Sequence, residues 1–444
     1  MNISKTDIDA LNSVIQITVD RKDYDGKVSS VLNDYRKNAN IPGFRKGHVP
    51  MGMIKKQYEQ AVIADEVNKL LRENLDKFIQ EEKIELLGNP IPKASEEALD
   101  WKADQMDFEF ELGLAPKFEV KLEVLKKVIR YEIEPEAKMI EEQLSYIQKQ
   151  YGKLVSQKEV QKGFEITAQF RNEEAELETM VNFTLEDLKS KKAIKALKEA
   201  TTGAVLNLTG KGLFSDEATG KRLLNVDDKK IEELDSKEIT VELKEINERI
   251  AAELNQELFD KLYEPGTVTT EQELKDKIKA SLQAQFEPQA NQKLMNDISE
   301  ALVEKTKFKL PGDFLKKWIQ TSGKEPMTEE EAVEEYNKSE KGIRYQLIEG
   351  KIINENELSL TFEELKAYAA TLVKNQMMQY GQIPEQEQLD GIVSNVLSNQ
   401  EETKKLSEQL MGEKMLTFFK EKAPLKIKKV GFDTFVKEAN AKAE

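Results

Sequence analysis

The sequence predicts a multidomain α+β chain that is predominantly helical. Three observations carry this. The chain has 444 residues, more than one hydrophobic core organises, so it divides into several domains. Apolar residues alternate with period two in two separate stretches, within 11–112 and within 152–247, each mixed with helical spacing. From residue 248 onward the spacing is almost wholly helical, and aromatic residues make up only 7% of the chain, which leans away from a β-sandwich.

The elements follow in order. Leu11, Ser13, Ile15, Ile17 and Val19 alternate as a strand. Tyr24, Val28, Val31, Leu32 and Tyr35 then form one stripe of a helix over 21–38. A Pro/Gly loop, "IPGFRKGHVP" (41–50), precedes a second helical pattern running from Ile63 to Ile79. "GNPIP" breaks that helix, and "MDFEFEL" (106–112) alternates as a strand. Residues 1–112 therefore read as a compact α/β unit. "LAPKFEVKL" (114–122) is an extended connector, "KKVIRYEIEP" a further strand, and Pro135 suits the first turn of a helix reaching Tyr151.

Residues 152–247 contain no proline, tryptophan or tyrosine. Short alternating runs at 164–170, 177–183, 204–210 and 237–246 predict a small α+β module, with "KKAIKALKEA" (191–200) as its one helix. After 248, Thr270 with Glu273, Thr328 with Glu331 and Thr361 with Glu364 mark helix starts of the capping-box type. Pro265, Pro288, Pro311, Pro326 and Pro384 punctuate these helices, which lack a sustained heptad and so predict hairpins projecting from a body.

Composition excludes several kinds of chemistry. Cysteine is absent and His48 is the one histidine, so thiolate catalysis, Cys-built metal sites and multi-His metal sites are outside this chain's reach. No cofactor, metal or catalytic residue is expected. "TGKGLFSDEATGK" (209–221) lacks the spacing of a phosphate-binding loop and reads as a surface hairpin turn. Acidic runs such as "EEEAVEEY" (329–336) read as solvated helix faces, and His48 as a polar loop residue. A net charge of −16 argues against a general nucleic-acid binder. The first 20 residues hold three aspartates and no apolar run, and no window approaches a membrane span, so a cytoplasmic protein without membrane association is expected.

The loop at 41–50 is different. Arg36, Lys37, Arg45, Lys46, Lys55 and Lys56 fall in one window without an acid. Pro42 and Pro50 stiffen the loop, so less ordering entropy opposes docking. Gly43 and Gly47 permit tight turns. Phe44 offers an apolar anchor beside the charge-assisted donors of Arg45 and Lys46. Such a tip suits a protein–RNA surface.

With those residues in view, the chain resembles bacterial trigger factor. That family's docking loop carries Gly-Phe-Arg-x-Gly-x-x-Pro, which maps onto Gly43, Phe44, Arg45, Lys46, Gly47 and Pro50. "KFKLPGDFLKKWI" (307–319) resembles the start of the family's first arm, and "EGKIINENEL" with "LTFEELKAYAATLVKNQMMQYG" (349–381) its second. The resemblance implies four parts: a ribosome-binding domain at 1–112, a linker and helix at 113–151 joining the C-terminal body, an inserted FKBP-like module at 152–247, and a helical chaperone domain with two arms at 248–444. It implies an ATP-independent chaperone that docks on the large ribosomal subunit near the exit tunnel, contacting protein and rRNA, and that holds nascent and unfolded polypeptides. A homodimer off the ribosome belongs to the same expectation.

Where the family's second module strand tends to read Asp-Phe, this chain has Gln169 and Phe170, and its only other aromatics there are Phe164, Phe183 and Phe214. The isomerase pocket at Gln169, Phe170 and Phe183 therefore looks degenerate. On the arms, Phe362, Tyr368, Met377, Met378, Tyr380, Ile392 and Val396 are candidate client contacts, the methionines because they adapt their shape. Two alternatives stay open: an active peptidyl-prolyl isomerase, and a helical adaptor without chaperone activity.

Overall fold

The structure is a computed structural model that describes all residues except 41, 43, 46, 94–99, 102, 324, 326 and 442–444. The chain divides into two compact units. One holds Met1–Arg130 and Leu294–Lys426; the other holds Tyr131–Lys293 and Ile427–Glu444. No helix among the described residues is long and apolar enough to cross a membrane.

The first unit begins with β1 (Asn2–Asp7), β2 (Asn12–Asp20), α1 (Arg21–Asn38), α2 (Met51–Glu81), β3 (Ile91–Pro92) and β4 (Gln105–Gly113). The strands form one antiparallel sheet in the order β1-β2-β4-β3. The period-two pattern of β2 puts Ile15, Ile17 and Val19 wholly inside, where each contributes about 1.5–3 kcal/mol by leaving water. They meet the α1 stripe of Tyr24, Val28 and Leu32 and the α2 residues Ile54, Val67 and Leu71. Asp23 fixes the start of α1: its carboxylate accepts from the Asp20 N–H at 3.0 Å and pairs with the chain's amino terminus at 2.8 Å. β1 escapes the sequence reading because "NISKTD" shows no alternation; pairing with β2 makes it a strand.

Past β4 the chain runs without regular structure to a 3-10 helix at Leu122–Lys127 and then to β5 (Ile129–Ile133). In the second unit follow α3 (Ala137–Gln150), β6 (Lys153–Ser156), β7 (Glu165–Asn172), β8 (Leu177–Phe183), α4 (Lys191–Lys198), β9 (Val205–Thr209), α5 (Glu217–Leu224), α6 (Asp228–Asp235), β10 (Glu238–Ile250) and α7 (Gln256–Leu262). Strands β6, β10, β7 and β8 make an antiparallel sheet, with β9 also on β10.

This module corrects two expectations. It carries α5 and α6 besides α4, and residues 209–221 form no strand hairpin but the end of β9, a turn closed by the Leu213 N–H donating to the Gly210 carbonyl at 3.0 Å, and the start of α5. Each added helix is eight residues long, too short for its period to stand out. Side-chain caps define them instead: Asp216 accepts from the Thr219 N–H and Asp227 from the Lys230 N–H. Leu223, Leu224, Ile231 and Leu234 then join the module's core.

Helix α8 (Glu271–Lys305) belongs in part to each unit. It starts with the expected box, Glu273 accepting from the Thr270 N–H at 3.2 Å and donating its own N–H to Thr270 Oγ1. Pro288 does not end this helix but lies inside it. The proline removes one N–H, and the buried positions on both sides, Phe286, Ala290, Leu294 and Ile298, keep one apolar stripe that holds the helix together.

The rest of the chain is α9 (Gly312–Ser322), α10 (Glu329–Glu355), α11 (Phe362–Gln379), α12 (Gln386–Ser398), α13 (Gln400–Lys422), β11 (Lys426–Val430), which pairs with β5, and α14 (Phe432–Asn440). Thr328 and Thr361 cap α10 and α11 as their spacing predicts. The core of this part joins Leu125 and Val128 to Ile348, Ile352, Met415 and Phe419. Helix α9 lies on β4. A Cβ at Gly113 would come within 2.2 Å of the Phe314 ring, and one at Gly88, whose φ is +83°, within 2.9 Å of Trp318. Lys317 reaches Glu111 across the same contact at 2.8 Å.

Candidate functional site

The loop between α1 and α2 is held at its root. Val49 and Ile54 are wholly buried, and Pro50 sits at the N-cap of α2, where a missing N–H costs nothing. The His48 N–H donates to the Arg45 carbonyl at 2.9 Å, closing a turn, and Gly47 takes a φ of +82° that only glycine adopts freely. The turn presents Phe44, 40% exposed, beside an exposed Arg45. Gly43 and Lys46 lie outside the described residues. Below the tip, Tyr35 of α1 meets Tyr58 of α2 edge-on at 5.4 Å, tying the two helices together.

The basic window is less uniform than the sequence indicates. Lys37 pairs with Asp34 at 2.9 Å and Lys55 with Glu59 at 3.5 Å, both acids lying just outside it. Arg45 and Lys56 form no ion pair among the described residues. Arg36, in the last turn of α1, likewise forms no ion pair among the described residues, so the unneutralised charge lies at Arg36, Arg45 and Lys56, around the loop.

The second predicted surface lies on the hairpin α11–α12, which closes on α13. Ala369, Leu389 and Val393 are its small core. Phe362, Met378 and Tyr380 are exposed, the last to 77%, while Met377, Ile392 and Val396 are half-buried. Tyr368 is half-buried and donates to Glu413 at 2.8 Å. Burial, then that bond, pushes its hydroxyl up to about 12. Sequence reasoning missed Ile383, 86% exposed in the α11–α12 turn. The signal was there: an isoleucine between Gly381 and Pro384, at a helix end.

Glu364 secures the start of this hairpin. Its carboxylate accepts from Lys414 at 2.8 Å and from the Thr361 N–H at 2.8 Å. Lys414 first, then the Thr361 donors, hold its pKa down to about 2. The folded value lies below the unfolded one, so this contribution is complete above the ordinary carboxylate range and fades as pH falls toward about 2. Acidification through that window is expected to speed amide exchange across Leu365–Ala369, and Lys414→Gln to move the onset to higher pH. An unchanged onset in the variant would dismiss the pairing.

In the module, Phe170 and Phe183 sit in the core rather than along a cavity wall. Phe170 is 1% exposed, meets Phe183 edge-on at 5.6 Å and lies over Phe214 at 6.4 Å. Gln169 is half-buried on the other face, donating to Glu178 at 2.9 Å and accepting from Arg171 at 2.6 Å. A cavity of about 220 Å³ opens beyond Phe214, between that ring, Gly220 and Ile231, and is lined by Asp216, Glu217, Glu232 and Asp235 together with Lys189. No group of three or more potential metal ligands comes together among the described residues.

A small α/β unit with a stiffened basic loop, an FKBP-like α+β module and a helical body with two hairpins define a multidomain folding chaperone. Residues 1–147 match the family model described as bacterial trigger factor protein, residues 154–251 the trigger factor FKBP-like domain, and residues 290–438 the trigger factor C-terminal domain. The chain belongs to the bacterial trigger factor family. It is 26% identical to the trigger factor of Chlorobium limicola, over 83% of this chain and 86% of that one. To the trigger factor of Agrobacterium fabrum it is 28% identical, over 82% and 77%. A solved structure reported under "Promiscuous Substrate Recognition in Folding and Assembly Activities of the Trigger Factor Chaperone" shares the fold, with a TM-score of 0.59 at 16% identity, over 95% of this chain and 100% of that one.

Proposed function

We propose that this protein docks on the large ribosomal subunit beside the exit tunnel and holds emerging chains without ATP. The observation that carries the reading is the loop tip, where Phe44 and Arg45 project from a turn rooted by Val49 and Pro50. Gly43, Phe44, Arg45, Lys46 and Gly47 form the docking set. The protein works in the cytoplasm and forms a homodimer when off the ribosome. Residues 1–112 are the docking domain, 113–151 the linker and helix joining the body, 152–247 the module, and 248–444 the chaperone domain. Co-sedimentation with ribosomes tests the docking; its absence at low salt sinks it.

The holding surface is the exposed apolar end of the α11–α12 hairpin. Met378 and Tyr380 offer it adaptable and aromatic contact area, Ile383 extends it, and Phe362 adds an exposed ring at the opposite end of α11. Changing Met378, Tyr380 and Ile383 together to serine is expected to reduce suppression of client aggregation several-fold. Deleting 152–247 with a short linker is expected to leave most of it. Loss of all suppression in a folded deletion variant would move the client site to the module.

The module itself is a spacer without isomerase activity. An FKBP-type site needs an aromatic, water-excluding cleft for the proline ring. What supports the reading is that Phe170 packs inward between Phe183 and Phe214, and that the cavity beyond Phe214 is lined by charged side chains, Lys189 among Asp216, Glu217, Glu232 and Asp235.

A further inference from the structure

The connector after β4 has unspent hydrogen-bonding capacity. Ala115 still donates its N–H to the Glu85 carbonyl at 2.8 Å. Beyond it, among the described residues, no main-chain N–H from Lys117 to Lys121 donates and no carbonyl from Ala115 to Val120 accepts. The segment is nevertheless not loose. Its side chains alternate, with Lys117, Glu119 and Lys121 exposed and Phe118 and Val120 half-buried, the period of an extended strand. Lys121 has φ −114° and ψ 114°. Phe118 stacks on Phe308 with ring centroids 4.2 Å apart and planes 14° apart, and the Lys351 ammonium lies 5.7 Å from the Phe118 ring. Val120 packs on the body's core.

A strand fixed through its side chains and unpaired along its backbone is a template for another strand. We propose that Lys117–Lys121 binds an extended stretch of unfolded polypeptide by main-chain pairing. The proposal rests on the holding function above and adds where and how a client engages. Space lies at the segment's N-terminal end: a groove of about 790 Å³ runs past Leu114, Pro116 and Lys117 to Phe308. Its charged lining is balanced, Lys5, Lys83, Lys117 and Lys309 against Asp7, Asp9, Glu82 and Glu85. In a chain of charge −16 this is a neutral approach that repels neither acidic nor basic clients. Backbone pairing reads no side chain, which suits clients with no sequence in common. Pre-organisation lowers the ordering cost on the chaperone's side.

The test is hydrogen exchange on the full-length protein with reduced, carboxymethylated α-lactalbumin as a permanently unfolded probe. In the free protein the amides of Lys117–Lys121 are expected to exchange as fast as an unstructured chain. With the probe, alternate amides are expected to slow at least about tenfold. Lys117→Pro/Glu119→Pro removes two donors from one edge of the strand and is expected to weaken probe binding about tenfold. Lys117→Ala/Glu119→Ala keeps both donors and is expected to bind as wild type. Slow exchange in the free protein overturns the proposal. So does a probe that binds while exchange at 117–121 stays unchanged, which leaves the holding function intact. A probe that does not bind at all removes the holding function and this site with it.

Discussion

Phe44→Ala/Arg45→Ala/Lys46→Ala is expected to abolish co-sedimentation with ribosomes while leaving the protein folded. An aromatic anchor that fills a pocket at the centre of an interface contributes about 2 kcal/mol or more. A charge-assisted hydrogen bond adds about 1.5–3 kcal/mol. Even heavily non-additive, these exceed about 4 kcal/mol, roughly a thousandfold in affinity, and micromolar binding drops out of reach. Folding is untouched because the tip carries no core. Phe44 and Arg45 face solvent, whereas Val49 and Ile54 behind them are wholly buried. Circular dichroism and melting should match wild type. Raising salt should weaken the wild-type complex, since contacts from Arg45 and Lys56 to phosphate release counterions. Binding of the triple variant at wild-type strength would remove the loop from the docking surface.

Phe170→Ala is expected to be the most destabilising single change in the FKBP-like module. The ring is buried on all sides, with Phe183 and Phe214 as aromatic neighbours. Truncating such a residue costs about 3–5 kcal/mol through lost transfer energy and the cavity left behind. A domain of this size has about 5–15 kcal/mol in total, and its melting point should fall by more than about 10 °C. Calorimetry of the full chain, with exchange of the β7 amides, measures this. A loss of any prolyl-isomerase signal in this variant would therefore report unfolding, not catalysis. The informative change is Gln169→Ala, which removes only bonds to Glu178 and Arg171. No acceleration is expected with a proline tetrapeptide from either wild type or that variant. A wild-type acceleration that vanishes in Gln169→Ala restores the enzyme.

Whether an element could be read from sequence depended on how its residues meet the core. β2 was legible because Ile15, Ile17 and Val19 all point one way into it. β6 was not, since every one of its residues is exposed and pairing with β10 alone makes it a strand. The helices α5 and α6 are decided by aspartate caps more than by period. Pro288 shows the converse: a breaker is overridden when buried side chains on both sides keep the helix in register. At the loop, proline and glycine gave the geometry away, but the acids that quiet Lys37 and Lys55 lie one helical turn outside the window that looked acid-free. At the hairpin end, Ile383 was passed over because it belongs to no stripe.

The contact between β4 and α9 has a mechanical consequence. At Gly113 and Gly88 only a hydrogen atom fits between backbone and ring, so α9 cannot slide along the sheet or roll on it without collision. The sheet that carries the α1–α2 loop, the proposed docking element, and helix α9 thus form one lever with no slack in its joint. If the loop docks as proposed, a single footprint sets both the address and the aim: the direction in which α9 points is chosen with it. A side chain at position 113 would leave the α1–α2 loop untouched but push α9 off the sheet.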